Sequence, residues 1–277
     1  MFEKIYYVNH LNEKVDLYSG NYTIQNVDSF TSHSLGYDSV VLNNVEQFKN
    51  FKKELPLYKI TLKIEGSESV SHREASNKIC DVFNVDIAFE KPGKLYVNEY
   101  YLKCFVFSKN TTRICPGVNS SIHEFQIIAT CTYWISDSHH FFNAPEISST
   151  ANKRYPGRYK YRYANGMNTT YLVNLSNTPS HFKMIIGGPT VNPNIEIGEN
   201  NYLVYITFID GEQLEIDSEA GTVYKITRYG ERINAFHNRQ KRKTFFNKIS
   251  SGMQEVKIPL GVSVNLTLFE ERSEPKW

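Results

Sequence analysis

The segment Tyr58–Glu65, which reads Tyr-Lys-Ile-Thr-Leu-Lys-Ile-Glu, decides the fold class of the first half of the chain. Apolar residues occupy its even positions and polar residues its odd ones. This two-residue period predicts a β-strand with one face on a core and the other in water. The sequence Ser71–Glu74 then has the pattern of a helix capping box. An apolar stripe at helical spacing follows, formed by Ala75, Ile79, Val82 and Phe83. We therefore predict one amphipathic helix near residues 70–84, packed on a sheet.

Further elements of the first half follow from weaker patterns. A shorter helix is predicted over Val45–Lys53. Extended runs that predict strands lie at Lys94–Val97, Tyr100–Ser108 and Ile122–Ile135. The dipeptide Pro116-Gly117 supplies a turn signal between the last two. Together these elements predict a mainly β domain with one main helix over residues 1–140.

The composition and the periodicity of the sequence change after Trp134. Residues 137–169 are rich in Ser, Asn, His, Tyr and Arg and have no sustained period, which places a domain boundary near 137–150. Alternation of apolar and polar residues then returns in seven short runs, at Tyr171–Leu175, His181–Gly187, Tyr202–Phe208, Gln213–Asp217, Thr222–Ile226, Glu255–Pro259 and Val262–Phe269. The dipeptide Asp210-Gly211 marks a tight hairpin turn between two of them. These runs predict a β-sandwich or jelly roll over residues 145–277.

Composition and charge exclude several classes of protein. The 19 Tyr and 17 Phe among 277 residues supply far more apolar area than a disordered chain carries. The formal charge of +2 argues against a nucleic-acid binder held by a broad basic face. No run approaches the roughly 18 apolar residues of a membrane-spanning helix, and charged residues interrupt the N-terminus where a signal peptide needs an apolar region. We expect a soluble, tyrosine-rich globular protein.

The four cysteines, at positions 80, 104, 115 and 131, indicate no zinc site. None forms a Cys-x-x-Cys pair, and no histidine stands at zinc-finger spacing from two of them. Cys104 and Cys131 lie in strand-like runs, where a free cysteine packs as a small apolar residue. We expect reduced thiols that bind no metal.

The chain lacks the motifs of the common catalytic sites. It has no Gly-x-Ser-x-Gly elbow, no His-Glu-x-x-His motif, no P-loop and no dinucleotide-binding fingerprint after a strand. The doublet His139-His140 lies in a loop-like, Ser-rich stretch, and adjacent residues of an extended chain point to opposite faces. We therefore interpret it as two solvated histidines rather than a metal site. We predict no catalytic residue, no cofactor-binding residue and no metal ligand, and hence no enzyme.

Two charged groups have a functional and a structural interpretation. The acidic group is Asp210, Glu212, Glu215, Asp217 and Glu219. Its order does not match an EF-hand loop, so we favour a solvated acidic hairpin over calcium or glycosidase chemistry. The basic zone is Lys225, Arg228, Arg232, Arg239, Lys241, Arg242, Lys243 and Lys248. It suits either a docking surface for an acidic protein or, as we favour, a solvated face.

Tyrosines interleave with basic residues between residues 153 and 163. The tyrosines are Tyr155, Tyr159, Tyr161 and Tyr163, and the basic residues are Lys153, Arg154, Arg158, Lys160 and Arg162. This alternation fits either an amphipathic strand or a protein interface, where Tyr and Arg are enriched.

The order of these segments resembles the distal tail protein family of long-tailed, non-contractile phages and prophages of Gram-positive bacteria. In the first half the resemblance rests on an N-terminal strand pair, the strand Tyr58–Glu65, the helix, Lys91–Val97 leading into Tyr100–Cys104, and a closing strand at Thr132–Trp134. In the second half it rests on Asn192–Ile195, Leu214–Asp217, Val223–Lys225 and the terminal Glu270–Trp277. The resemblance spans essentially the whole chain, and its motifs are structural rather than catalytic.

The resemblance implies a structural virion protein of the tail tip, or baseplate hub, assembled in the host cytoplasm. Its first domain would be a split-barrel, tail-tube-like β fold with a helix, and six copies would form a ring. Its second would be a galectin-like β-sandwich projecting outward. The ring would join the tail tube protein to the tail-associated lysin or tail spike hub, and in some phages it anchors receptor-binding proteins. DNA would only pass through the lumen, no membrane or cofactor is implied, and residues 28–56 are expected among the subunit contacts.

Two other functions stay open. The second half could be a carbohydrate-binding module used in adhesion to the host surface, which a glycan array on residues 145–277 would test. The chain could instead be a jelly-roll glycosidase, which requires convergent carboxylates in a pocket.

Overall fold

The computed structural model describes residues 3–31, 35–52, 54–115, 117, 119–143, 167–242 and 244–276. It is mainly β, with large antiparallel sheets and, among these residues, one α-helix, which confirms the predicted fold class. The chain divides into two compact units, Met1–Ser136 with Glu271–Trp277, and Asp137–Glu270. The C-terminal segment from Glu271 thus clusters with the first unit, whereas the predicted domain of residues 145–277 includes it.

The first unit contains most strands of the first half and the helix. They are β1 Ile5–Val8, β2 Lys14–Asp16, β3 Tyr22–Ile24, β4 Gly36–Leu42, β5 Val45–Lys52, β6 Leu57–Glu65, α1 His72–Ala88, β7 Gly93–Val97, β8 Tyr100–Cys115 and β9 Ser120–Ala129. One antiparallel sheet has the order β2-β1-β7-β8-β9-β6-β3. The next strand, β10 (Trp134–Asn143), contains the division between the two units.

The helix and its capping box are confirmed. The Ser71 hydroxyl accepts a hydrogen bond from the backbone N–H of Glu74, and the Ser71 N–H donates to the Glu74 carboxylate at 3.0 Å. The predicted stripe is buried, and it shares one core with the inward face of β6. Phe83 packs edge-on against Tyr7 and Phe125, with ring centroids 4.9 and 5.4 Å apart. α1 therefore covers the sheet, as predicted from the helical period of its own apolar residues and from the two-residue period of β6.

Two predictions in the first half are wrong. The helix predicted over Val45–Lys53 is the strand β5. The run predicted over Ile122–Ile135 is broken, because β9 ends at Ala129 and β10 begins only at Trp134. The Ser-rich stretch around His139-His140, predicted to be loop-like, is likewise part of the strand β10.

The second unit is built mainly from two antiparallel sheets with one core between them, and β13 and β16 form a further two-stranded sheet. Its strands are β11 Met167–Asn174, β12 His181–Gly187, β13 Thr190–Val191, β14 Asn194–Ile197, β15 Asn200–Leu203, β16 Thr207–Phe208, β17 Gln213–Asp217, β18 Thr222–Ile226, β19 Arg232–Asn234, β20 Gly252–Pro259 and β21 Ser263–Arg272. One sheet has the order β19-β18-β17-β12-β21-β10, and the other β11-β20-β14-β15. Inward residues of both sheets form a single cluster, as in a β-sandwich.

The predicted hairpin at Asp210-Gly211 is a turn but not a hairpin. Gly211 has a φ of +81°, which suits the turn. However, β16 pairs with β13, whereas β17 pairs with β12 and β18. Both edges of β17 are therefore occupied by β12 and β18. The strands on either side of this turn, β16 and β17, do not pair with each other.

Candidate assembly surface

A hairpin with exposed apolar side chains is the main candidate for an assembly surface in the first unit. β4 and β5 form a two-stranded sheet of their own. Asn43 and Asn44 connect them, with φ values of 51° and 61°. Positive φ at both central residues is what a type I′ turn requires, and asparagine tolerates it better than most residues. The Asn-Asn pair is the sequence signal that could have revealed this hairpin.

A β-bulge at Lys49 explains the mistaken helix prediction. Lys49 has no partner on β4, because the residues on either side of it pair with the adjacent Asp38 and Ser39. The extra residue shifts the alternation of side chains. As a result Phe48 and Phe51 lie on one face, with ring centroids 4.8 Å apart. Their three-residue spacing thus imitates a helical repeat within a strand.

The apolar side chains of this hairpin face solvent. Tyr37, Phe48 and Phe51 expose 64%, 59% and 62% of their surface. The tip adds the exposed Val40, Val41, Leu42 and Val45. Two-stranded hairpins are marginal in water without further packing, and contiguous exposed apolar patches mark interaction surfaces. The hairpin therefore has the character of an element that another protein surface covers.

A groove of about 450 Å³ lies at the base of the hairpin. Leu35 precedes β4, and Leu55, Pro56 and Leu57 follow β5; all four line the groove. The three leucines are more than one-third exposed. Polar residues, among them Glu54 and Lys59, complete the lining, so the groove is of mixed character.

The predicted histidine doublet lies on strand β10 rather than in a loop. His139 is exposed, and its Nδ1 lies 3.0 Å from the Thr267 hydroxyl. His140 is half-buried beside Phe142, and its Nε2 lies 3.0 Å from the Ser138 hydroxyl. Burial, and then the neighbouring His139, lower the pKa of His140. The two rings have separate partners, as expected for neighbours on an extended chain.

The predicted acidic group is only partly solvated. Glu215 is 6% exposed and lies between two cations, the Lys183 ammonium at 2.9 Å and the Arg232 guanidinium. Glu212 pairs with Lys225 at 2.8 Å, and hydrogen bonds from Lys225 and from the backbone of Ile209 lower its pKa. The interpretation of a solvated acidic hairpin is therefore wrong for Glu215. Its charge is neutralised across three strands instead.

Three members of the basic zone make contacts within the second unit, whereas Arg228, Lys241 and Arg242 are exposed. Lys225 and Arg232 form the ion pairs just described, and the Arg239 guanidinium lies 3.6 Å from the Phe236 ring centroid. Arg239 also donates to the Phe236 carbonyl. Lys243, the tyrosine-basic alternation of residues 153–163 and Trp277 lie outside the described residues. Trp134 is buried, and its indole N–H donates to the Tyr58 hydroxyl at 3.1 Å.

Two buried polar networks of the first unit were not predicted. Asp86, on the core side of α1, accepts hydrogen bonds from the Tyr7 hydroxyl at 2.6 Å and from the backbone N–H of His10 at 2.8 Å. The Ser121 hydroxyl lies 2.6 Å from Nε2 of His72 and 2.7 Å from Nε2 of His123. Both networks join α1 to the sheet. Their members share no sequence motif, so only the folded chain reveals them.

Neither a metal cluster nor a membrane span occurs in the described part of the chain. No three side chains of His, Cys, Asp or Glu come together there as metal ligands would. No described helix has the length and apolar character needed to cross a membrane.

The chain has the fold of phage baseplate proteins. No protein-family model and no curated protein sequence matches it. A chain in the structure of the phage P2 baseplate, activated with calcium, is 12% identical, with a TM-score of 0.62 over 99% of this chain and 100% of that one. The strontium form gives the same identity and TM-score, over 98% and 99%. At this low sequence identity the structural match establishes the fold alone, and it does so over nearly the full length of both chains.

A second phage system has the same fold. The Dit protein of phage SPP1 (gp 19.1), described as a paradigm of the hub adsorption apparatus in phages that infect Gram-positive bacteria, is 8% identical, with a TM-score of 0.60. The match covers 96% of this chain and 98% of that one. The resemblance to distal tail proteins is therefore confirmed at the level of the overall fold.

Proposed function

We propose that this chain is a structural hub protein of a phage tail tip and has no catalytic activity. The observation that carries this proposal is the full-length match to the phage P2 baseplate chain and the SPP1 Dit protein. A match that covers both units cannot come from one widespread domain. Fold alone does not imply function, so the surface of the chain must support the proposal separately.

The surface supports a role in self-assembly. The hairpin β4–β5 presents an aromatic face and an apolar tip to solvent. A homo-oligomeric ring uses head-to-tail interfaces, in which one surface of each subunit meets a different surface of the next. The hairpin of one copy would be covered by the adjacent copy. We propose six copies around a lumen through which DNA passes.

The remaining contacts belong to the same proposal. The ring would join the tail tube protein on one side to the tail-associated lysin or tail spike hub on the other. The second unit would make few contacts between subunits and could anchor receptor-binding proteins. Glu215 is ion-paired with both Lys183 and Arg232, which suits a scaffold rather than an acid–base site.

The oligomeric state of the full chain tests this proposal. Size-exclusion chromatography with light scattering should give the mass of six subunits, and negative-stain images should show rings. The double variant F48S/F51S should remain folded but lose the ring, because it removes the shared aromatic face of the hairpin. A control variant, L175S, changes an apolar residue of the second unit that is 84% exposed, and it should leave the ring intact.

Two results would overturn the proposal that this chain is a structural hub protein. One is a full chain that stays monomeric at high concentration and binds neither tail tube protein nor spike hub. The other is turnover of a cell-wall glycan that is lost when a single carboxylate is replaced.

A further inference from the structure

The side chains of Cys80 and Lys109 meet where α1 lies beside β8. The Lys109 ammonium donates a hydrogen bond to the Cys80 sulfur, with Nζ and Sγ 3.1 Å apart. Cys80 is a free, half-buried thiol, and Lys109 is exposed. No described carboxylate forms an ion pair with Lys109. The amine therefore has the sulfur as its nearest polar partner, and solvent can reach the pair.

A second contact positions the lysine. Its Nζ lies 6.0 Å from the ring centroid of Phe125, on the neighbouring strand β9. The positive charge of Lys109 also contributes to the lowered pKa of His123, which lies on the same strand β9 as Phe125. The ammonium therefore lies between the Cys80 sulfur and the Phe125 ring while remaining exposed to solvent.

We propose that oxidation joins Cys80 to Lys109 through a sulfenamide bond, a covalent cross-link between α1 and β8. A thiol oxidised to a sulfenic acid condenses with a nearby nitrogen. Here the nearby nitrogen is the lysine amine, already within hydrogen-bond distance of the sulfur. The flexible four-carbon stem of lysine allows it to approach to bonding distance.

The chemistry requires a peroxide as oxidant and balances in two steps. First, the Cys80 thiolate attacks hydrogen peroxide, the O–O bond breaks, and the products are the sulfenic acid and, after one proton is taken up, water. Second, the Lys109 ammonium gives a proton to solvent and its lone pair attacks the sulfur. The S–N bond forms, the S–O bond breaks, and hydroxide leaves and takes up a proton released by the nitrogen. Sulfur is oxidised by two electrons and peroxide is reduced to water.

The cross-link would stabilise the first unit after the chain leaves a reducing compartment. It joins residues 29 positions apart, and a covalent loop restricts the unfolded chain more than the folded one. An excess of thiol should reverse it, because thiolates attack the electrophilic sulfur.

Peroxide treatment of the full chain followed by peptide mapping in a mass spectrometer tests this inference. The expected product is one joined pair of peptides containing Cys80 and Lys109, lighter by two hydrogens, or about 2 Da, and separated again by dithiothreitol. The melting temperature of the first unit should rise on oxidation. In K109R the charge and a donor remain, but a guanidinium is always protonated and is a poor nucleophile. That variant should give no link, and Cys80 should instead react with dimedone.

Three outcomes would overturn the inference. One is a dimedone-reactive Cys80 in the unaltered chain with no joined peptides. Another is a link at Cys80 that persists in K109R. The third is a joined pair that is one oxygen heavier, which would be an N–O–S bridge and not a sulfenamide.

Discussion

Phe83 connects the helix to the rest of the first core. Its ring packs edge-on against rings from β1 and β9, and it is almost fully buried. Phe83→Ala should lower the free energy of unfolding of the first unit by about 3–5 kcal/mol, because the cavity adds to the lost burial. Urea denaturation would measure this. Phe89→Ala, at a ring that is 61% exposed, should change it by less than about 1 kcal/mol; similar losses in both variants would contradict the packing described here.

His123 should make the first unit sensitive to acid. Burial, the Lys109 charge and His72 lower its pKa from 6.5 to about 4. The unfolded chain therefore binds a proton between these pH values that the folded chain does not. The contribution of His123 to the free energy of unfolding should fall by about 3 kcal/mol as the pH drops from about 6.5 to 4, and it should not change further below that.

The matched variant for this pH dependence is H123Q. Glutamine keeps a polar group near Ser121 but does not titrate. Urea denaturation between pH 4 and 7 should show a shallower slope for H123Q than for the unaltered chain. Identical slopes would mean that another group causes the acid sensitivity.

At the scale of the element, the start of α1 depends on its capping box. The Ser71 hydroxyl satisfies a backbone N–H that the helix itself cannot. Ser71→Ala should lower the stability of the first unit by about 1 kcal/mol, measured by urea denaturation. Ser69→Ala, just before the helix and exposed, serves as the control and should have a smaller effect. An equal loss in both would show that the cap contributes nothing.

The elements differ in how well local sequence predicts them. Strands β12, β17 and β18 begin and end where the two-residue period predicts, because each has one face on a core. The hairpin β4–β5 has no buried face, so its side chains carry no such period, and the bulge at Lys49 breaks the remaining alternation. The helix predicted there fails for that reason. β14 was not among the predicted strands, although its residues alternate between half-buried and buried.

At the scale of the whole molecule, the second unit should fold alone with the bounds that the structure gives it. The fragment 137–270 keeps the second-unit part of β10, which lies beside β21 in the sheet. It should unfold cooperatively in urea. The fragment 145–277 lacks this strand and so exposes an edge of β21; it should be less stable. A fragment 137–270 without a cooperative transition would contradict an independent second unit.

Local sequence patterns predict the mainly β class, the main helix with its cap, the presence of two halves and the resemblance to distal tail proteins. These features depend on local periods and on their order along the chain. Which charges are buried becomes visible only in the folded chain. Asp86 meets groups 76 and 79 residues away, and Glu215 meets cations on two other strands. The folded chain also shows where β16 and β17 pair and that the apolar side chains of the hairpin are exposed in the single chain. Burial and strand pairing are set by contacts between distant segments, and no local pattern encodes them.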